Sequence, residues 1–213
     1  MLMENGCDSI GRAAALAAFG EEETAREAET PDLLYPRLLE QVHGALARRF
    51  GLESSVELDA AFGASIPQWP SFPDTADALR ALKAHYKLVI LSNVNRDGFA
   101  ASNRKLGVAF DAVYTAEDVG SYKPDSANFE YMIEHLKTDL GVGPGDVLHT
   151  AQSLYHDHVP VAALTLASAW IDRQDLSGGG DWGATAKVAK RPEVAFRFPS
   201  MGAMAQAVAE AAA

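Results

Sequence analysis

Apolar residues along the chain keep one rhythm up to about residue 66 and another after it. In the first stretch they recur at helical spacing. Ala13-Ala14-Ala15-Leu16-Ala17-Ala18-Phe19 predicts a helix that Asp8 or Ser9 caps and Gly20 ends. Thr30-Pro31-Asp32 predicts a second start: a capping hydroxyl, a proline in the first turn and a carboxylate by the positive helix end. Leu38, Leu39, Val42, Leu46 and Phe50 carry that helix to Gly51, and Leu58, Ala61 and Phe62 predict one short helix more. Pro67, Pro70 and Pro73 then exclude regular helix and sheet and predict a hinge. The division expected is a helical subdomain over residues 1–66 and a second unit over 67–213.

Beyond the hinge, short apolar runs alternate with amphipathic ones. Asp74 predicts the cap of a helix ending near Tyr86, and Leu88-Val89-Ile90-Leu91 a buried strand. A helix over 96–106, a strand over 112–115, a helix over 126–140, a strand over 146–150, a helix over 159–166 and a strand over 167–171 follow. This alternation predicts an α/β class, with a Rossmann-like parallel sheet flanked by helices on both faces. Ser177-Gly178-Gly179-Gly180-Asp181 predicts a flexible loop and residues 200–213 a closing surface helix.

Composition narrows the partners. An apolar fraction of 48% and a charged fraction of 22% belong to a globular chain. Eighteen basic against 29 acidic residues give a net charge of −11. That surface repels phosphates and anionic lipid, so neither nucleic acid nor a membrane is an expected partner. The apolar runs fall short of a membrane span. Met1-Leu2-Met3-Glu4-Asn5-Gly6 lacks the basic start of an export signal, and Cys7 stands alone, so a cytoplasmic location is expected.

In an open parallel sheet, ligands bind beyond the carboxyl ends of the strands. Ser92 and Asn93 follow the strand at 88–91; they can hold an anionic oxygen without charge, or form an ordinary cap or turn. Lys123 precedes Pro124, which restricts its backbone and lets its ammonium be held in one direction; the bland alternative is a solvated surface lysine. Asp157 follows the strand at 146–150, where it can take a salt bridge from Lys123, cap the next helix, or both. His149, His156 and His158 surround that aspartate. They have neither cysteine partners nor the i, i+4 spacing of zinc enzymes, which weighs against a metal site; one of them can instead serve as a general base near neutral pH.

The order strand–Ser92-Asn93, then Lys123-Pro124-Asp125, then a strand followed by Asp157 and a helix resembles the haloacid dehalogenase-like superfamily. Gln152-Ser153-Leu154-Tyr155-His156-Asp157-His158 and Ala169-Trp170-Ile171-Asp172-Arg173 are similar to its L-2-haloacid dehalogenase branch. The resemblance implies that Ser92, Asn93, Lys123 and Asp157 are catalytic. It implies that Ser92, Asn93, Lys123 and His156 bind a small anionic substrate, and that the first 66 residues form a cap. It implies no cofactor, because Ala151-Gln152 stand where the superfamily's phosphatases carry the Gly-Asp that holds Mg²⁺. Phe129 and Leu154 depart from the tyrosine and asparagine of the dehalogenases, which puts haloacid preference in doubt.

The superfamily's nucleophile is an aspartate at the end of a first strand, upstream of the cap. The nearest echo is Asp8-Ser9-Ile10-Gly11, preceded by a polar turn and not by a strand. The expectation is therefore a scaffold truncated before that strand, with weak or no hydrolysis. A repurposed enzyme with a histidine base and a non-catalytic binding protein are the alternatives. In the family that strand lies between those at 88–91 and 146–150. Without it the two edges pair directly, another strand fills the gap, or a second chain, for instance in a homodimer, completes the sheet.

Overall fold

The computed structural model describes residues 10–213; the Asp8 and Ser9 caps and the Asp8 echo lie outside the described residues. Helix α1 (Arg12–Glu29) runs through Gly20 instead of ending there. A Cβ on Gly20 would stand 2.3 Å from the Ala184 carbonyl oxygen, so this glycine lets the helix lie directly against the chain at 184. Thr30 closes α1: its N–H and its hydroxyl both donate to the Arg26 carbonyl, each at 2.9 Å. The Thr30-Pro31-Asp32 signal is thus a helix end, and α2 (Tyr35–Phe50) opens with Pro36 in its first turn. Gly51 ends α2 in the left-handed conformation, φ 66°. Ser55 caps α3 (Val56–Gly63) by accepting from the Leu58 N–H at 3.2 Å.

Leu38, Leu39, Val42 and Leu46 of α2 are fully buried, at the spacing that marks one helix face. They share a core with Ala18 of α1 and Ile66, and also with Ala116 and Tyr122 from beyond the hinge. The helical layer therefore rests on the strand-containing part through common packing.

The proline-rich stretch holds a single 3₁₀ turn, Ile66–Gln68, before α4 (Thr75–Lys83). The Asp74 side chain does not cap α4. It accepts from the Gly202 N–H at 2.9 Å and pairs with Arg173 at 2.9 Å, tying α4 to the far end of the chain. Next come β1 (Val89–Ser92), α5 (Arg96–Leu106), β2 (Ala112–Thr115), the short α6 (Ala116–Val119) and α7 (Ser126–His135). The rest is β3 (Leu148–Ala151), α8 (Val159–Ala163), β4 (Ala167–Ile171), β5 (Phe196–Phe198) and α9 (Met201–Ala211). Wider π turns extend α7 (Leu136–Leu140) and precede α8 (Leu154–His158), so both predicted helices are irregular at one end.

All strand pairs are parallel. They form two sheets: β1 with β2, in register Val89 to Ala112, and β3-β4-β5. Among the described residues no strand pairs with the remaining edge of β1 or of β3. Helices flank both faces. Ala78, Leu82, Met204 and Ala205 pack with Ala169 and Ile171 on one side. Phe129, Met132, Leu136 and Val161 pack with Tyr114 on the other. No helix among the described residues is long and apolar enough to cross a membrane.

Candidate functional site

Lys123 is only 7% exposed, so it is not a surface lysine. Its ammonium donates to Asp157 Oδ1 at 2.7 Å and to the Leu91 carbonyl, near the end of β1, at 3.0 Å. His149, on β3, places Nε2 2.9 Å from the same Asp157 oxygen. Burial opposes the Asp157 charge, but Lys123 and His149 outweigh it and hold its carboxyl well below the usual carboxylate range. Asp157 sits inside the π turn Leu154–His158, which brings its carboxylate back over the end of β3.

Asn93 fixes the lysine from the other strand. Its Oδ1 accepts from the Lys123 N–H at 2.8 Å, and its Nδ2 donates to the Lys123 carbonyl at 3.1 Å. The same amide donates to Glu27 Oε1 at 2.8 Å. Ser92 is used locally: its hydroxyl accepts from the Val94 N–H at 3.3 Å.

His156 meets α1. Its Nε2 lies 3.0 Å from Glu27 Oε2 but off hydrogen-bond alignment, so the contact is electrostatic. Its Nδ1 lies 3.2 Å from the Ser153 hydroxyl. Glu27 is buried, and one turn earlier Glu23 bonds the Tyr35 hydroxyl. Burial and the neighbouring Glu27 push Glu23 up to about 7. Burial and Glu23 likewise raise Tyr35 well above the usual phenol range. The sequence reading passed over Glu23, Glu27 and Tyr35. In the run Glu21-Glu22-Glu23 the acids read as a solvated face; the available signal was their i, i+4 spacing on the stripe that also carries Gly20.

His158 is completely buried, with Nε2 3.0 Å from the Ala151 carbonyl, and burial lowers its pKa. Burial therefore favours the neutral imidazole, which is engaged within the fold. Gln152 donates to Gln174 and, at 3.0 Å, to the Thr185 hydroxyl, so its amide anchors the 174–185 segment. A cavity of about 50 Å³ lies between the start of α2 and the residues that follow β1 and β2, lined by Tyr35, Asn93, Asn95, Glu117 and Tyr122 among others. It has room for little more than a few waters or a small ion.

This geometry offers an anion the donors of Lys123 and Asn93 and can hold a proton on Glu23. Among known proteins the chain is similar to (S)-2-haloacid dehalogenase 4A of Burkholderia cepacia, 28% identical over 139 residues. The match covers 64% of this chain and 50% of that protein, so the chain spans about half the length of the curated relative it matches. Its fold is similar to that of L-2-haloacid dehalogenase from Xanthobacter autotrophicus with chloropropionic acid covalently bound. That likeness has a TM-score of 0.75 at 18% identity, over 94% of this chain and 88% of the other. A second L-2-haloacid dehalogenase gives a TM-score of 0.73 at 22% identity, over 98% and 89% of the two chains. The model of the haloacid dehalogenase-like hydrolase family matches residues 7–150, and the chain belongs to that family.

Proposed function

We propose that this chain is a haloacid dehalogenase-like scaffold that binds small carboxylates at Asn93, Lys123, Ser92 and His156 and hydrolyses them weakly or not at all. In this reading residues 1–66 act as the cap and 67–213 as the core. One observation carries it: Asp118, Asp157 and Asp172, which follow β2, β3 and β4, are each already engaged. Asp118 accepts from Thr115 and Arg96 after β2. Asp157 accepts from Lys123 and His149 after β3. Asp172 accepts from the Leu176 and Ser177 N–H groups after β4. Attack on carbon or phosphorus needs a free carboxylate aimed from a rigid strand end, and a misplacement of about 1 Å costs around a hundredfold.

The donor set does not suit a hard dication. Gln152 supplies a neutral amide committed to Gln174 and Thr185, and the described contacts of Asp157 are to an ammonium and an imidazole. That supports metal-free carboxylate binding over phosphoryl transfer.

The test is to titrate the chain with 2-haloacids and phosphate esters and to follow halide and phosphate release. Binding of the haloacids without turnover, lost in Lys123→Ala, is expected. Robust turnover abolished by Asp8→Asn would overturn the reading and make Asp8 the nucleophile. A second reading rests on the Glu27–His156 contact, an imidazole 3.0 Å from a buried carboxylate at the cap–core junction that can act as a general base. Turnover insensitive to Asp8→Asn but lost in His156→Gln would establish it.

A further inference from the structure

A buried carboxylate stands among the groups that the proposed site offers an anion. Glu27 is only 5% exposed, and its Oε1 takes the Asn93 amide at 2.8 Å. Its Oε2 has the His156 ring at 3.0 Å but no hydrogen-bond partner among the described residues. Glu27 is not the only acid there. Burial raises the Tyr122 hydroxyl above the usual phenol range, and Glu27, Glu23 and Asp32 raise it further, so three carboxylates bear on this group. Glu23 and Glu27 act on Tyr35 in the same way. Both hydroxyl protons are spent: Tyr35 donates to Glu23, and Tyr122 to the Leu33 carbonyl.

The cavity of about 50 Å³ at the start of α2 is walled by these two tyrosines, with Asp32, Asn93, Asn95 and Glu117 among its other walls. Asn95 is nine-tenths buried, and its Oδ1 has no hydrogen-bond partner among the described residues. A buried acceptor left unpaired is costly, and what it lacks is a donor. The N–H groups at the start of α2 would by themselves favour an anion, but Asp32 and Glu117 already bring carboxylates to that end. Carboxylates, an unpaired amide oxygen and tyrosine rings suit a small cation with N–H donors, and the room is that of an ammonium group. Asn93 borders both halves of this arrangement, because its amide also holds the Lys123 peptide. The Lys123 ammonium spends two of its three protons on Leu91 O and Asp157 Oδ1, which keeps one for a ligand carboxylate.

We infer that the ligand of this site carries an ammonium group beside its carboxylate, as a 2-amino acid does, and that Glu27 selects for it. The carboxylate takes the Lys123 ammonium, and the nitrogen is drawn to the side of Glu27, Asn95 and the two tyrosine rings. Such a zwitterion brings no net charge into the closed site. It resolves the conflict of an anion site built around a buried carboxylate: Glu27 repels a plain carboxylate and attracts the nitrogen. A plain amine, in turn, leaves Lys123 unanswered. The inference rests on the reading that small carboxylates bind here, and it adds which of them.

The probes are alanine, propionate and ethylamine, titrated calorimetrically against the full chain at neutral pH. Alanine carries both charges, and the other two carry one each on a frame of similar size. Alanine is expected to bind at least about tenfold more tightly than either. Glu27→Gln keeps the shape of the side chain and should weaken alanine about tenfold, while propionate holds or gains. Lys123→Ala should weaken both. Propionate binding as tightly as alanine, with both lost in Lys123→Ala, would overturn the inference and leave the carboxylate reading standing. Ethylamine binding as tightly as alanine, or an alanine advantage untouched by Glu27→Gln, would overturn it as well. No binding of any of the three would remove the carboxylate reading and this inference with it.

Discussion

The carboxamide of Asn93 pairs with both polar groups of the Lys123 peptide, although the two residues are thirty positions apart and lie beyond different strands. The lysine is thereby aimed from its backbone, and its ammonium has little choice but the Asp157 carboxylate. Asn93→Leu leaves the Lys123 N–H and C=O without these partners in a closed site. A loss of about 2–4 kcal/mol in urea unfolding is expected. Asn93→Asp keeps the acceptor but sets a second carboxylate against Glu27, and should cost stability more at pH 8 than at pH 5. Equal stability of wild type and Asn93→Leu would show that the pairing contributes nothing.

The Lys123–Asp157 pair is buried on both sides, so removing either partner strands a charge. Lys123→Met or Asp157→Leu alone should cost about 3–5 kcal/mol, and the double variant clearly less than the sum. The acid limb follows from the sign of the shift. Asp157 is held below its ordinary value, so its stabilisation is complete above the unfolded carboxylate pKa, about 3.9, and disappears as pH falls further toward the folded value. Wild type should lose stability steeply below about pH 4, and Lys123→Met/Asp157→Leu should lose that part of the slope.

Glu23 works in the opposite direction. Its carboxyl is raised from 4.5 to about 7, so between those values the folded state holds a proton that the unfolded state has released. Stability should therefore fall as pH rises from about 4.5 to 7. A shift of that size corresponds to about 3 kcal/mol; Glu23 keeps some solvent contact, so roughly half is expected. Glu23→Gln should flatten the slope across this window. A wild-type stability that rises from pH 5 to pH 7 while Glu23→Gln stays flat would contradict the assignment.

Elements whose signals are local could be read from the chain. The strand at 112–115, the strand at 167–171 and the helix at 96–106 occur as their apolar spacing predicts. Gly20 was misread because a helix-ending glycine and a glycine under a packed loop look alike in sequence; only the approach of Ala184 distinguishes them. Phe196-Arg197-Phe198 is too short to show a period, and it becomes a strand because β4 offers it an edge. At the site, the order of strand-end residues foretold that Lys123 and Asp157 meet. What α1 contributes was not legible, because Glu27 reaches Asn93 across 66 positions of chain and the acids that precede it look like a solvated face in sequence.

That contribution leads to the last prediction. Glu27 brings a carboxylate from α1 to Asn93 Nδ2 at 2.8 Å, with the His156 imidazole 3.0 Å from its other oxygen. Those are the groups that the proposed function assigns to a small carboxylate ligand, so α1 already offers the site an internal anion. Glu27→Gln preserves an oxygen for Asn93 and removes the charge, leaving the polar pairing and unloading the repulsion felt by an incoming carboxylate. Affinity for 2-chloropropionate should rise about tenfold, or roughly 1.4 kcal/mol, while affinity for the neutral 2-chloropropionamide should not change. Glu23 supplies an internal check, because part of its raised pKa comes from Glu27. In Glu27→Gln the pH window over which stability falls should move toward the ordinary carboxylate range. Calorimetric titration of both ligands and urea unfolding from pH 4.5 to 8 measure the two effects. Unchanged carboxylate affinity beside a shifted pH window would place Glu27 near Glu23 but outside the ligand's reach, and the assignment of Asn93 and His156 to substrate binding would then fail.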